Sequence, residues 1–142
     1  MSSVFLTAEW HRLLMLNFPI EPKALQEHIP KGTELDDWEG TTYVSLVGFL
    51  FLDTKVKGLA VPFHRDFEEI NLRFYVRSRG PEGWRRGVVF IREVVSKQAI
   101  AFFARLLYNE NYLACPTRSS VIDPSDEEAG SVKYDWQHDG QW

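Results

Sequence analysis

Glu69, Asn71 and Arg73 recur at every second position within Phe67-Glu-Glu-Ile-Asn-Leu-Arg-Phe-Tyr-Val-Arg77. In an extended chain that spacing places all three on one face, with Tyr75 next in line. A carboxylate, an amide and a guanidinium side by side can hold a carboxylate or carbonyl compound, the arginine by a two-pronged bond. The plain alternative is a strand face that meets water. Arg92, on the following apolar run, could join the trio or pair with Glu69 across two strands. Lys97 stands where that run hands over to a helical pattern, a place where burial can lower an amine's pKa and make it a nucleophile. The alternative is a solvated lysine in a first helical turn, which the macrodipole only weakly disfavours. His64 lies between Val61-Pro-Phe63 and Arg65-Asp66, where it could serve as a general base at a cavity rim or as a hydrogen-bonded loop histidine.

Positioning these residues falls to strands. Phe67–Arg77 alternates, with Ile70, Leu72, Phe74 and Val76 opposite the polar row. Gly80-Pro-Glu-Gly83 is a turn and Gly87–Val95 the returning strand of a hairpin. Upstream, Glu9–Ile20 contains Pro19 and reads as a strand. Pro22–His28, bounded by Pro30 and Gly32, reads as a short cap helix. Trp38-Glu-Gly40 is a turn into Thr41–Leu52, too apolar for one wet face and so expected to be a central strand; Gly48 within it predicts a bend or a close approach by another group. Lys55–His64 reads as a loop. Ser96 can cap a helix from Lys97 to about Tyr108 whose Ile100, Phe103 and Leu107 predict burial. Tyr112–Ile122 is a strand interrupted by Pro116, Val132–Trp136 a last short strand, and Gln137–Trp142 a polar, frayed tail. The expected class is mainly β (α+β): a single domain over residues 1–142, with a strongly curved or partly closed antiparallel sheet and two helices.

Composition narrows the functions. Of 142 residues, 44% are hydrophobic, enough for one core, and ten Phe, five Tyr and five Trp suit both pleated surfaces and ligand-cavity walls. A net charge of −4 with scattered Lys and Arg argues against nucleic acid and anionic membranes. No leader-like or membrane-spanning run occurs, so a cytoplasmic protein is expected. Cys115 is the single cysteine and reads as a buried structural thiol. His11, His28, His64 and His138 have no metal-ligand spacing, Ser45, Ser119 and Ser120 lack a hydrolase elbow, and no glycine-rich phosphate loop occurs, so no metal or cofactor is expected.

Two segments, Thr33–Phe49 and Val61–Val76, resemble the uncharacterised YqjF-like family, also called the DUF2071 family, and the resemblance continues through Arg92–Lys97 and Ala104–Asn109. Members of that family are usually longer, with further strands beyond the point where this chain stops. The family in turn looks similar to acetoacetate decarboxylases, which implies a curved, barrel-like sheet and a Schiff-base lysine. Carried over by motif, Phe67-Glu-Glu69 makes Glu69 the match for an active-site glutamate, and Arg92-Glu93 with Lys97 looks like a contracted form of their Arg-Glu…Pro-Lys-Lys segment. Ser96 and Gln98 depart from the proline and second lysine, so the like-charge device for lowering a lysine pKa is missing.

The leading expectation is a domain that binds a small organic acid or carbonyl compound in a polar cavity lined by Glu69, Asn71 and Arg73. One alternative is a lyase in which Lys97 attacks a ketone and Glu69 or Arg92 handles protons and the substrate carboxylate. The other is an interaction module: a homodimer in which an exposed strand pairs with its copy and buries residues such as Trp136.

Overall fold

The computed structural model describes residues 6–56, 58–60, 65–96, 112–125 and 129–142. Among these residues nine strands follow in order: β1 Leu6–Pro19, β2 Glu34–Leu35, β3 Tyr43–Val56, β4 Leu59–Ala60, β5 Phe67–Gly80, β6 Gly83–Val95, β7 Tyr112–Ala114, β8 Thr117–Ile122 and β9 Ser131–Trp136. One sheet runs β1-β3-β5-β6-β7, with β2 added to β5 and β4 to β3; β8 and β9 form a separate ribbon. All neighbours in the main sheet are antiparallel except β6 and β7, which are parallel.

The class is mainly β, as expected, and among the described residues no closed barrel forms. Among the described residues the sheet is open, because its path begins at β1 and ends at the three-residue β7, and these edges do not pair. Those residues hold one helix, the 3-10 turn Pro22–His28, which begins with the φ-restricted Pro22 and drives Leu25 into the core. The expected helix Lys97–Tyr108 lies outside the described residues. The segment read as a loop from Lys55 is partly sheet, since Lys55 and Val56 pair with Ala60 and Leu59 across the Gly58 turn.

Cross-strand partners share a face, so the registers divide the side chains between two surfaces. On the first, Val47, Phe49, Phe51, Phe67 and Val95 form one apolar cluster, with Phe49 and Phe51 ring to ring at 4.9 Å. On the second, Leu25 packs with Val44, Phe74 and Val76, and farther along Ile70, Val94 and Cys115 pack beneath Tyr134 and Trp136 of the β8–β9 ribbon. The ribbon is fastened to β5 through Glu68, whose carboxylate accepts from Ser119 Oγ at 2.8 Å, and to β1 through the Tyr134 hydroxyl, which donates to the Arg12 carbonyl at 2.7 Å.

The close approach expected at Gly48 is made by Tyr134: a Cβ there would sit 2.7 Å from the ring. The tail is not frayed, since His138 and Gln141 pair their backbones around a turn and Trp142 lies 4.1 Å beneath the Arg118 guanidinium.

Candidate functional site

Asn17, Ser45 and Tyr75 come from β1, β3 and β5 and meet because the registers align Asn17 with Ser45 and Val44 with Phe74. Ser45 is fully buried; its hydroxyl donates to Asn17 Oδ1 at 2.5 Å and lies 2.7 Å from the Tyr75 hydroxyl. An amide oxygen only accepts, so Ser45 gives its proton to Asn17 and receives one from Tyr75. This chain leaves the Asn17 Nδ2 donors and a Tyr75 oxygen lone pair for other partners.

Asn17 and Tyr75 lie in the lining of a cleft of about 630 Å³, together with Tyr43, Val88, Arg86 and the turn bearing Trp38. That volume lies in the range of small-molecule sites. Trp38 and Thr41 exchange backbone hydrogen bonds at 2.9 Å across a tight turn whose middle residues, Glu39 and Gly40, have φ of 50° and 80°. Such a turn is stiff, and it holds the exposed Trp38 indole at the cleft's edge. Asp37 Oδ1 accepts from the Gly40 N–H at 2.8 Å and braces the same turn.

The wall carries a network of ion pairs. Arg86 Nε lies 3.1 Å from Asp36 Oδ2, Arg77 reaches the other Asp36 oxygen at 3.8 Å, and Arg77 Nε donates to Glu34 Oε1 at 2.7 Å. The Glu34 hydrogen bond pushes the Arg77 pKa further up. Asp36 is buried, and its backbone N–H donates to the Tyr75 carbonyl at 3.0 Å, which ties the wall to the floor.

Of the residues singled out from sequence, Glu69, Asn71 and Arg73 do share a face with Tyr75, but they lie deeper and do not line the cleft. Their face is not wet: Glu69 is 4% and Asn71 2% exposed, and Asn71 Nδ2 donates to Glu69 Oε1 at 3.0 Å. Among the described residues, Asn71 Oδ1 and Arg73 Nε are buried without a hydrogen-bond partner. Directly across from Asn71 sits Glu93, 3% exposed, so two buried carboxylates flank one amide. The suggested Arg92–Glu69 pair does not form. A register shift near Leu72 and Arg73 leaves Arg92 opposite Leu72 and exposed, while Glu69 faces Val95. Lys97 and His64 lie outside the described residues.

Sequence reasoning set Tyr75 on the polar face but missed the other cleft residues and the burial of Glu93. Ser45, a lone hydroxyl inside Tyr43-Val-Ser-Leu-Val47, was the available signal, because a polar atom in a two-sided apolar strand must find a buried partner. Cys115 is buried, and burial raises its thiol pKa, which keeps it protonated and inert. Among the described residues no cluster of His, Cys, Asp or Glu could hold a metal, and no helix is long and apolar enough to cross a membrane.

Fold and site thus define a sheet domain with a polar-floored cleft at one end of a buried polar row. A family model described as an uncharacterized conserved protein, DUF2071, matches residues 7–141, and the chain belongs to that family. It is similar to the uncharacterized protein YqjF of Bacillus subtilis (strain 168), with 32% identity over 75 residues. That match takes in 52% of this chain and 31% of YqjF, so it spans under a third of the relative's length.

Proposed function

We propose that this chain is a small-molecule-binding domain that receives a carbonyl or carboxylate compound in the cleft between Trp38 and the Asn17–Ser45–Tyr75 floor. The observation that carries this reading is the floor itself: a cooperative hydrogen-bond chain under an open space of about 630 Å³. Asn17 Nδ2, the Tyr43 hydroxyl and the outer nitrogens of Arg86 are donors suited to carbonyl or carboxylate oxygens, while Trp38 and Val88 offer apolar surface to the rest of the molecule. Ligand-observed NMR with a panel of keto acids and aromatic carboxylates tests it. Val88→Trp should fill the cleft and abolish binding, and Asn17→Ala should weaken it by about tenfold. No binding at millimolar concentration, or binding that Val88→Trp leaves unchanged, would overturn the proposal.

A lyase reading is favoured by a different observation, the two buried carboxylates Glu69 and Glu93 beside Asn71. In it the Lys97 amine adds to a ketone and loses water to form an imine, with Glu69 or Arg92 handling the protons of that addition and loss. Borohydride reduction in the presence of small keto acids, followed by peptide mass spectrometry, should place an adduct on Lys97; labelling spread over surface lysines would remove this reading.

A further inference from the structure

The edge strand β1 carries a second feature that the cleft does not use. From Glu9 to Pro19 every residue is exposed, and Trp10, Leu13, Leu14, Met15, Leu16 and Phe18 are 37–60% accessible. Leu13-Leu-Met-Leu-Asn-Phe18 contains no charge. Among the described residues β1 has one strand neighbour, β3, and its outer edge is unpaired. Natural edge strands are blunted by lysines, inward charges, prolines or bulges. Here the bulge, marked by Arg12 at φ 54° and the register shift between His11 and Leu14, lies before the apolar stretch, and Leu14 to Pro19 continues in unbroken register with β3. Pro19 closes the strand, and between the bulge and that proline nothing blunts Leu14–Phe18.

We infer that Leu14–Phe18 of β1 pairs antiparallel with the same segment of a second copy, making a two-fold homodimer whose sheets are continuous. A strand paired with itself about a two-fold axis through Leu16 sets Leu14 against Phe18, Leu16 against its copy and Met15 against Asn17, with no like charges opposed. The four apolar side chains of Leu14–Phe18 present on the order of 300 Å² per copy, about 600 Å² for two, and the backbone edges with the flanking Leu13 and Trp10 bring the contact toward the ~1200–2000 Å² of specific interfaces. The net charge of −4 does not oppose contact locally, because the segment itself is neutral. Trp136, by contrast, packs within its own chain against the Ile70 cluster and is not part of this surface.

Sedimentation of the 142-residue chain from about 1 to 100 μM, with hydrogen exchange over the same range, tests the inference. A dimer is expected, with amides of residues 14–18 gaining protection as concentration rises and Leu16→Lys weakening self-association by about tenfold or more. A monomer at about 100 μM overturns it, as does a dimer whose concentration-dependent protection lies elsewhere. If Leu16→Lys does not fold, the exchange pattern of the parent chain decides alone.

Discussion

Ser45 has no exposed surface, and both of its hydrogen bonds go to side chains that face the cleft. Replacing it with alanine removes one partner each from Asn17 and Tyr75 while leaving them in place, and an orphaned buried polar group costs ~1–3 kcal/mol. Ser45→Ala is therefore expected to lower stability by about that amount, measured by urea unfolding, and to weaken binding in the cleft together with it. A variant of unchanged stability would mean that water substitutes for the hydroxyl. The same scale explains why Glu69 and Asn71 were legible as neighbours but not as buried groups. Alternation names which residues share a face; whether that face meets water depends on what covers it.

Gly48 is where an element's packing depends on one missing side chain. Its position in β3 faces the Tyr134 ring of β9 so closely that a methyl group would enter the ring's volume, and the ring is held by its bond to the Arg12 carbonyl. Gly48→Ala should cost about 1–3 kcal/mol, as overpacked sites do, and should loosen the ribbon before the sheet. Hydrogen exchange at β8 and β9 checks this: faster exchange there, with β3 and β5 unchanged, is expected, whereas uniform acceleration would place Gly48 in the global core. That a close approach occurs at this glycine was readable from a β-rich run with one residue lacking a side chain. That the approaching group is Tyr134, 86 residues along the chain, was not, because the β8–β9 ribbon folds back only through tertiary packing.

At the scale of the molecule, stability should depend on acid through surface carboxylates held by cations. Hydrogen bonds from Lys55 and Arg65 hold the Asp53 pKa below its ordinary value near 3.8, and Arg118 and Lys133 do the same for Asp135. A carboxylate whose folded pKa is depressed contributes above its unfolded pKa, and that contribution is lost as pH falls through the folded value. The stability gap between the parent chain and Asp135→Asn, read from melting temperature, should be open near pH 7 and close below about pH 3.8. A gap that stays constant down to about pH 2.5 would show that the ion pairs do not couple to folding. Both carboxylates belong to exposed pairs, so the effect should shrink with added salt.

The sequence by itself determined the longer strands, though not the two-residue β2 and β4, together with the Pro22–His28 helix and the turns at Trp38–Gly40 and Gly80–Gly83, because these follow from alternation, proline geometry and glycine at tight turns, all local. It also carried the family resemblance and the shared face of Glu69, Asn71, Arg73 and Tyr75. Tertiary structure alone decided that the sheet of the described residues has two unjoined edges, that Arg92 misses Glu69 by a register shift, and that Asn17, Tyr43, Tyr75 and Arg86 surround one space. Each of those outcomes depends on how strands far apart in the chain are aligned, and a one-residue shift in that alignment changes every cross-strand neighbour while leaving each strand's own pattern untouched.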